Sequence, residues 1–332
     1  MVTQSLATGA AVLVSRDGSS RFGSAGRIAL GSTRPPLRVD HFRAGEITET
    51  FIAVVILQLA AEGRVGLDDP VERHLPGLIR GNGHDGRRMT LLHLLVHTAG
   101  LFPHLEDRNG PHHAFDRRYT PGQLVRLGLS HPSETPPGTS YRHAHVHYVV
   151  LGMVIEKLTG RSYASEAGHR ILDPLHLTGT SFPGRRRELP SPHGAAYSGP
   201  EGALVDRTEI DPSGLGAGGE LISTLDDLHR FLEALLSGHL LPRPQLARML
   251  DTSDGMGHEG VGLFPYELSC TTLWGRRGRI AGSQVLTLAT RNGAHALTVH
   301  ANTDALLPTW TEDELLETEF CGRSDTVRPT GS

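Results

Sequence analysis

The sequence predicts an α+β fold: an antiparallel sheet flanked by helices from both chain ends, with an all-helical domain inserted. Two observations point there. Strand-like segments cluster at the two ends of the 332-residue chain, while the middle carries apolar residues at helical spacing. Gly- and Pro-rich punctuation separates these segments, and no internal repeat occurs. Residues 1–75 and 205–321 are expected to form the sheet domain, residues 76–204 the helical domain, and residues 322–332 a disordered tail.

The elements follow in order. Residues 9–31 read as a hairpin around Arg16-Asp17-Gly18, because Asp-Gly suits a tight turn. A helix from Thr48 to Glu62 is apolar at Phe51, Val54, Val55, Leu57 and Leu59 and stops at Gly63. "MTLLHLLVHTAGL" (89–101) is a short helix ended by Gly100, another covers 121–129, and "YVVLGMVIEKLTGRSY" (148–163) is closed by Gly160. Residues 179–216 are loops. "STLDDLHRFLEALLSG" (223–238) starts on a Ser/Thr cap, with Asp211, Asp226 and Asp227 as further caps. Three strand-like runs (259–270, 279–291 and 294–302) and a helix over 309–320 complete the order.

Composition removes several functions. A formal net charge of -4 leaves no basic footprint for nucleic acid, and no apolar run reaches the ~18 residues of a membrane span. The N-terminus lacks a basic n-region and reads as a first strand, so a cytoplasmic protein without membrane or nucleic-acid partners is expected. Cys270 and Cys321 make neither a disulfide framework nor a zinc ribbon and read as inert thiols. Lys157 is the one lysine among 32 basic residues, so 31 are arginine.

Six segments in order carry a resemblance: "LQLAAEGRVGLDDPVERHLP", "LLHLLVHTAGL", "PGTSYRHAHVHYVVLGMVIEKLTGRSY", "ILDPLHLTGTSF", "GAGGELISTLDDLHRFLEALLSG" and "WGRRGRIAGSQ". The chain resembles the serine β-lactamase and penicillin-binding-protein superfamily, in its class C-like esterase branch, over nearly its whole length. The resemblance implies a β-lactamase-like fold with a cleft between sheet and helical domain. It also implies three motifs: Ser-x-x-Lys at the first long helix, Tyr-x-Asn, and Lys/His-x-Gly on a strand.

Each motif position holds something else. The first reads Glu46-Ile47-Thr48-Glu49, and since Lys157 follows Val154 by three, no Ser-x-x-Lys occurs anywhere. Gly-x-Ser-x-Gly is absent as well. Thr48 is a hydroxyl without a lysine to activate it, so Ser-Lys acyl transfer is excluded. A gapless alignment places His143-Ala144-His145 on the second motif; a rival with a two-residue insertion places Tyr141-Arg142-His143 there. The third falls on Arg276-Arg277-Gly278. Charged or titratable replacements at all three favour repurposing over decay.

Glu46 and Glu49 lie on one helix face, about 5–6 Å apart at Cβ, so one carboxyl should be raised unless a cation intervenes. His143, His145 and Arg276 are the candidate cations. Two chemistries fit. In one, glutamate and histidine move protons on a small, natural-product-like substrate whose oxygen Arg276 holds, giving isomerisation, dehydration or cyclisation. In the other, Glu46, Glu49, His143 and His145 bind a divalent metal for hydrolysis. Otherwise no cofactor is expected. A catalytically silent binding or regulatory homologue is the alternative from a different class. Tyr141 is placed at the pocket wall and Glu220 as a third carboxylate; His97 reads as packing, and His147 and His112-His113 as incidental.

Overall fold

The computed structural model describes residues 7–322 except 104, 106–114, 116, 134, 200–202 and 306–308. The expected tail beyond 322 and the His112-His113 pair lie outside the described residues. The six-stranded sheet joins the chain ends: β1 (Gly9–Arg16) and β2 (Ser19–Gly26), then β3 (Phe264–Glu267), β4 (Thr272–Ile280), β5 (Ser283–Thr290) and β6 (His295–Ala301). Strand order is β2-β1-β6-β5-β4-β3, antiparallel at every pairing. The family fold is therefore present, with helices between the two strand groups.

Strand β4 departs from the expected pattern. Its stretch "TLWGRRGRI" carries three arginines, which conceal the alternation that a half-buried strand normally displays. Period two nonetheless governs it. Leu273 packs with Leu286, Leu297 and Leu316 on one face, where Arg277 also pairs with Glu312 of the C-terminal helix (Thr309–Cys321). Trp274 and Arg276 turn to the opposite face.

That opposite face is covered by α1 (Ile47–Ala61). Phe51, Ile52, Val55, Ile56 and Leu59 of this helix are fully buried in the main core, each stabilising the fold by about 1.5–3 kcal/mol relative to exposure. Phe51 stacks on Phe231 at 3.8 Å, joining α1 to a helix over Leu225–Leu236. Thr224 caps that helix through Asp227 N–H, whereas Asp226 pairs with Arg38 and Asp227 accepts from Gly179 and Thr180, so neither aspartate is the cap. Asp211 does cap a short turn at Ser213.

Two helical elements position the site from the other side. α2 (Leu91–Leu95) ends just before His97, and α3 (His145–Thr159) begins three residues earlier than its apolar rhythm suggests. Its N-cap is Ala144 and its C-cap the left-handed Gly160. Cys270 and Cys321 form a disulfide with Cα atoms 5.7 Å apart, which corrects the reading of two inert thiols. The bond ties the C-terminal helix to the turn before β4. Disulfides persist in oxidising compartments, so this bond gives the expected cytoplasmic placement no support. Among the described residues no helix is long and apolar enough to cross a membrane.

Candidate active site

The site is built where the chain enters α1 against the end of β4. Gly45 has φ +53°, and a Cβ there would lie 2.7 Å from Arg279 N. Gly278 faces it from β4, where a Cβ would collide with the Ala44 carbonyl oxygen. Both positions need glycine because two backbones touch. The contact aims the first turn of α1 at β4, so Glu46 Oε2 accepts from Arg279 N–H at 2.6 Å. Thr48 donates to Gly45 O at 2.6 Å and accepts from Leu221 N–H at 3.0 Å, which occupies the hydroxyl in holding the turn.

The imidazoles arrive from the N-terminus of α3. His145 Nε2 lies 3.1 Å from Glu46 Oε1, and His143 Nε2 lies 3.2 Å from Glu49 Oε1. Their ring centroids are 5.0 Å apart, edge to face. The four residues read from sequence as the acid–base set therefore meet as two carboxylate–imidazole pairs. Glu49 is fully buried, while the His143 side chain keeps 32% of its exposure. Only the histidine of that pair reaches solvent.

Behind Glu49 sits a buried ionic network. Arg276 bonds Glu49 through one Nη and Glu259 through the other, with its side chain 5% exposed. His97 Nε2 is 3.3 Å from Glu49 and 3.4 Å from Glu259. His97 Nδ1 lies 2.9 Å from His147 Nδ1 and 3.3 Å from Ala144 N. One assignment satisfies the hydrogen bonds: Nε2–H of a neutral His97 donates to Glu49, and its Nδ1 accepts from Ala144 N–H and from His147 Nδ1–H. His97 has φ +54° and its carbonyl accepts Arg142 N–H at 2.9 Å, so it also pins the 142–144 segment.

Electrostatics follow from this arrangement. Burial pushes Glu49 up, but Arg276, His143 and His97 together outweigh it and hold the carboxyl well below 4.5. Burial also raises Glu46, and the His145 contact plus Arg279 N–H reverse that, leaving it lowered. The expected raised member of the glutamate pair is thus absent, because Arg276 faces Glu49 while His145 and the Arg279 N–H hydrogen-bond Glu46. Burial works against a charged His143, yet Glu49 prevails and its pKa is raised above 6.5. Burial lowers His97 despite Glu259 beside it, and lowers His147 further. The partial positive charge at the α3 N-terminus acts in the same direction on His147.

The remaining sequence candidates fare differently. Arg276 spends both ends of its guanidinium on carboxylates, so its place is within the network, and the expectation that it holds a substrate oxygen is corrected. Tyr141 stacks on His258 at 4.6 Å beside the His97 ring, with burial raising its phenol. Glu220 faces elsewhere, bonded by Tyr163 Oη at 2.6 Å and Gly184 N–H at 3.0 Å. His97, His147 and Glu259 joined the network without warning. His97 looked like packing, and nothing local marks Glu259. For a metal, the donor atoms that converge within 4.8 Å belong to Glu49, His97 and His143 and not to the expected four-residue set. Arg276 already bonds that same Glu49 carboxylate, so a cation there must displace or share with a guanidinium.

Comparison with known proteins gives the setting. The family model described as Beta-lactamase matches residues 1–317. Esterase EstB of Burkholderia gladioli is 31% identical over 262 residues, covering 68% of this chain and 65% of that protein. Putative penicillin-binding protein PbpX of Bacillus subtilis (strain 168) is 25% identical, covering 79% and 62%. The chain thus spans less than two thirds of these curated relatives. Among solved structures, a D-stereospecific amidohydrolase from Streptomyces sp. superposes with a TM-score of 0.87 at 38% identity, covering 97% of this chain and 96% of that one. The D-amino acid amidase of Ochrobactrum anthropi SV3, complexed with L-phenylalanine amide, gives 0.78 at 25% identity, covering 90% and 87%.

Proposed function

The chain belongs to the beta-lactamase family, and from that premise we propose that its cleft performs proton transfer on a small substrate without an acyl-enzyme. The relatives named above are an esterase, a putative penicillin-binding protein, an amidohydrolase and an amidase. This chain offers no serine–lysine couple at the matching helix, since Glu46 and Glu49 stand there. One observation carries the reading: His143, the partly exposed imidazole, is backed at 3.2 Å by a carboxylate whose charge Arg276 fixes from inside the protein. A carboxylate behind an imidazole orients the ring and raises its basicity, the arrangement a general base near neutral pH requires.

His143 is then the proton acceptor, with Glu49 as a positioning residue acting through it. His145, paired with Glu46, stands close enough to deliver a proton to a second atom of the same ligand. Isomerisation, dehydration or cyclisation of a natural-product-like molecule is the reaction class, and a biosynthetic tailoring step is the setting by analogy. A second reading, a silent binding homologue, draws on the complete burial of Glu49 and near-complete burial of Arg276 and Glu259, which form a closed ionic cluster behind His143.

Proton abstraction from a nitrobenzisoxazole, a generic probe of a positioned base, separates the two. The acid–base reading expects a rate that rises with pH through a value above 6.5 and falls by about 10²–10⁴ in His143→Asn. A wild-type rate no greater than that of free imidazole, unchanged by the substitution, selects the silent homologue.

A further inference from the structure

A buried carboxylate lies outside the proton-transfer set. Glu220 is 2% exposed, and its two oxygens accept from Tyr163 Oη and Gly184 N–H, both neutral donors. No basic side chain pairs with it among the described residues, in contrast to Glu49, Glu259 and Glu46. It borders a cavity of about 580 Å³, a volume that includes the open mouth and suits a small ligand. The walls are apolar: Leu124, Val149, Met153 and Ala217. Glu156 also borders it, and burial raises both carboxyls above 4.5. Burying a carboxylate beside neutral donors alone is costly, so a cation entering this cavity would relieve a penalty that Tyr163 and Gly184 do not.

The cavity borders α3, the helix whose N-terminus carries the candidate active site. Val149 and Met153 follow His145 on α3 by four and eight residues, so all three share one helix face, with Val149 about 6 Å along the axis. Gly218, beside the lining residue Ala217, is pressed so close to His145 that a Cβ would lie 2.6 Å from the His145 carbonyl oxygen. Glu220 itself precedes Leu221, whose N–H is held by Thr48 in the first turn of α1. The cavity wall and the His143–His145 pair are thus held by the same helix and by the same 216–221 segment. Arg185, the basic residue of the lining, belongs to the exposed stretch 184–188.

We infer that this cavity is a specificity subsite for a primary ammonium carried on an aliphatic stem, the stem lying against Val149, Met153 and Leu124 and the ammonium meeting Glu220 and Glu156. The inference deepens the acid–base reading and rests on it for the identity of the ligand as a substrate. Three donors of an ammonium match the remaining lone pairs of two carboxylates, and methylenes match the walls.

The test needs no turnover. n-Butylamine, n-pentylamine and n-hexylamine hydrochlorides are titrated into the full-length protein at pH 7 by calorimetry and by amide chemical shifts, against the alcohols of equal length. At least one amine is expected to bind ten times or more tighter than its alcohol, with shifts centred on Val149, Met153 and Ala217. Glu220→Gln, which keeps acceptor and shape, is expected to bring the amine down to the alcohol's level, and Glu156→Gln to weaken it several-fold. Equal binding of amine and alcohol, no binding of either, or an amine preference untouched in both variants overturns the inference. Should Glu220→Gln fail to fold, the wild-type comparison and Glu156→Gln still decide it. His143→Asn is expected to bind the amines as wild type does. Failure of the acid–base reading therefore shows in the proton-abstraction rate, and failure of this subsite in the titration.

Discussion

Replacing Arg276 by methionine removes the one permanent cation from a cluster in which Glu49 is fully buried and Glu259 is 2% exposed. Methionine keeps much of the stem's packing, so the loss isolates the charge. Breaking a buried pair by deleting one partner costs about 3–5 kcal/mol, because the survivor is left charged and desolvated. Two carboxylates share this guanidinium, which places the expected loss at pH 7 in the upper part of that range. The pH dependence then discriminates. In the wild type Glu49 is depressed below 4.5, so its stabilisation is fully present above about pH 4.5 and is lost as pH falls through the lower folded value. In Arg276→Met the largest lowering influence is gone and burial dominates, raising the carboxyl. A raised carboxyl destabilises above the unfolded value, so the variant's deficit is full at pH 7 and shrinks as pH drops toward 4.5. Urea unfolding at both pH values reads this directly. The triple change Glu49→Leu/Arg276→Met/Glu259→Leu is expected to recover at least half of the loss. A deficit under ~1 kcal/mol, or one equal at the two pH values, refutes a buried ionic cluster held by Arg276.

Other outcomes follow from the same geometry. His143 is raised above 6.5, so its contribution to stability is complete below 6.5 and declines as pH rises through the folded value; Glu49→Gln is expected to move its imidazole titration down toward 6.5 by NMR. Zinc is expected to bind the wild type weakly and Arg276→Met at least tenfold tighter, since Glu49, His97 and His143 then lack a competing guanidinium; equal affinity by calorimetry contradicts the competition. Reducing Cys270–Cys321, which closes a sequence separation of 51 residues, is expected to lower unfolding stability by up to about 4 kcal/mol, and a free-thiol assay that finds two reactive cysteines in unreduced protein removes the bond. Fluorophosphonate and penicillin are expected to leave the intact mass unchanged, and an adduct on any serine ends the argument against acyl transfer.

Much of the site was legible before folding, and the reason is local. Glu46 and Glu49 share a helix face through a three-residue spacing, and His143 and His145 flank the cap of the next helix, so a motif alignment sufficed to collect them. The helical rhythm missed the start of α3 by three residues because His145, Val146 and His147 break the apolar pattern without breaking the helix. Arg276 was legible as a position but not as a direction. Period two sends Arg276 toward α1 and Arg277 toward the C-terminal helix, yet the arginines of β4 hide that strand's alternation. Glu259 left no trace, and His97 and His147 were read as packing and as incidental, since Arg276 reaches partners 17 and 227 residues away and such pairs have no spacing to display.

The amino-acid sequence by itself determined the order of segments that carries the family resemblance and the absence of any Ser-x-x-Lys spacing, and the resemblance, through its motif positions, singled out Glu46, Glu49, His143 and His145. Only the tertiary structure decided which of those groups reach solvent, that Arg276 is turned inward onto Glu49 and Glu259, and that Cys270 meets Cys321. Burial and charge compensation act through space between distant segments, so they take effect once the sheet and helices have closed around them.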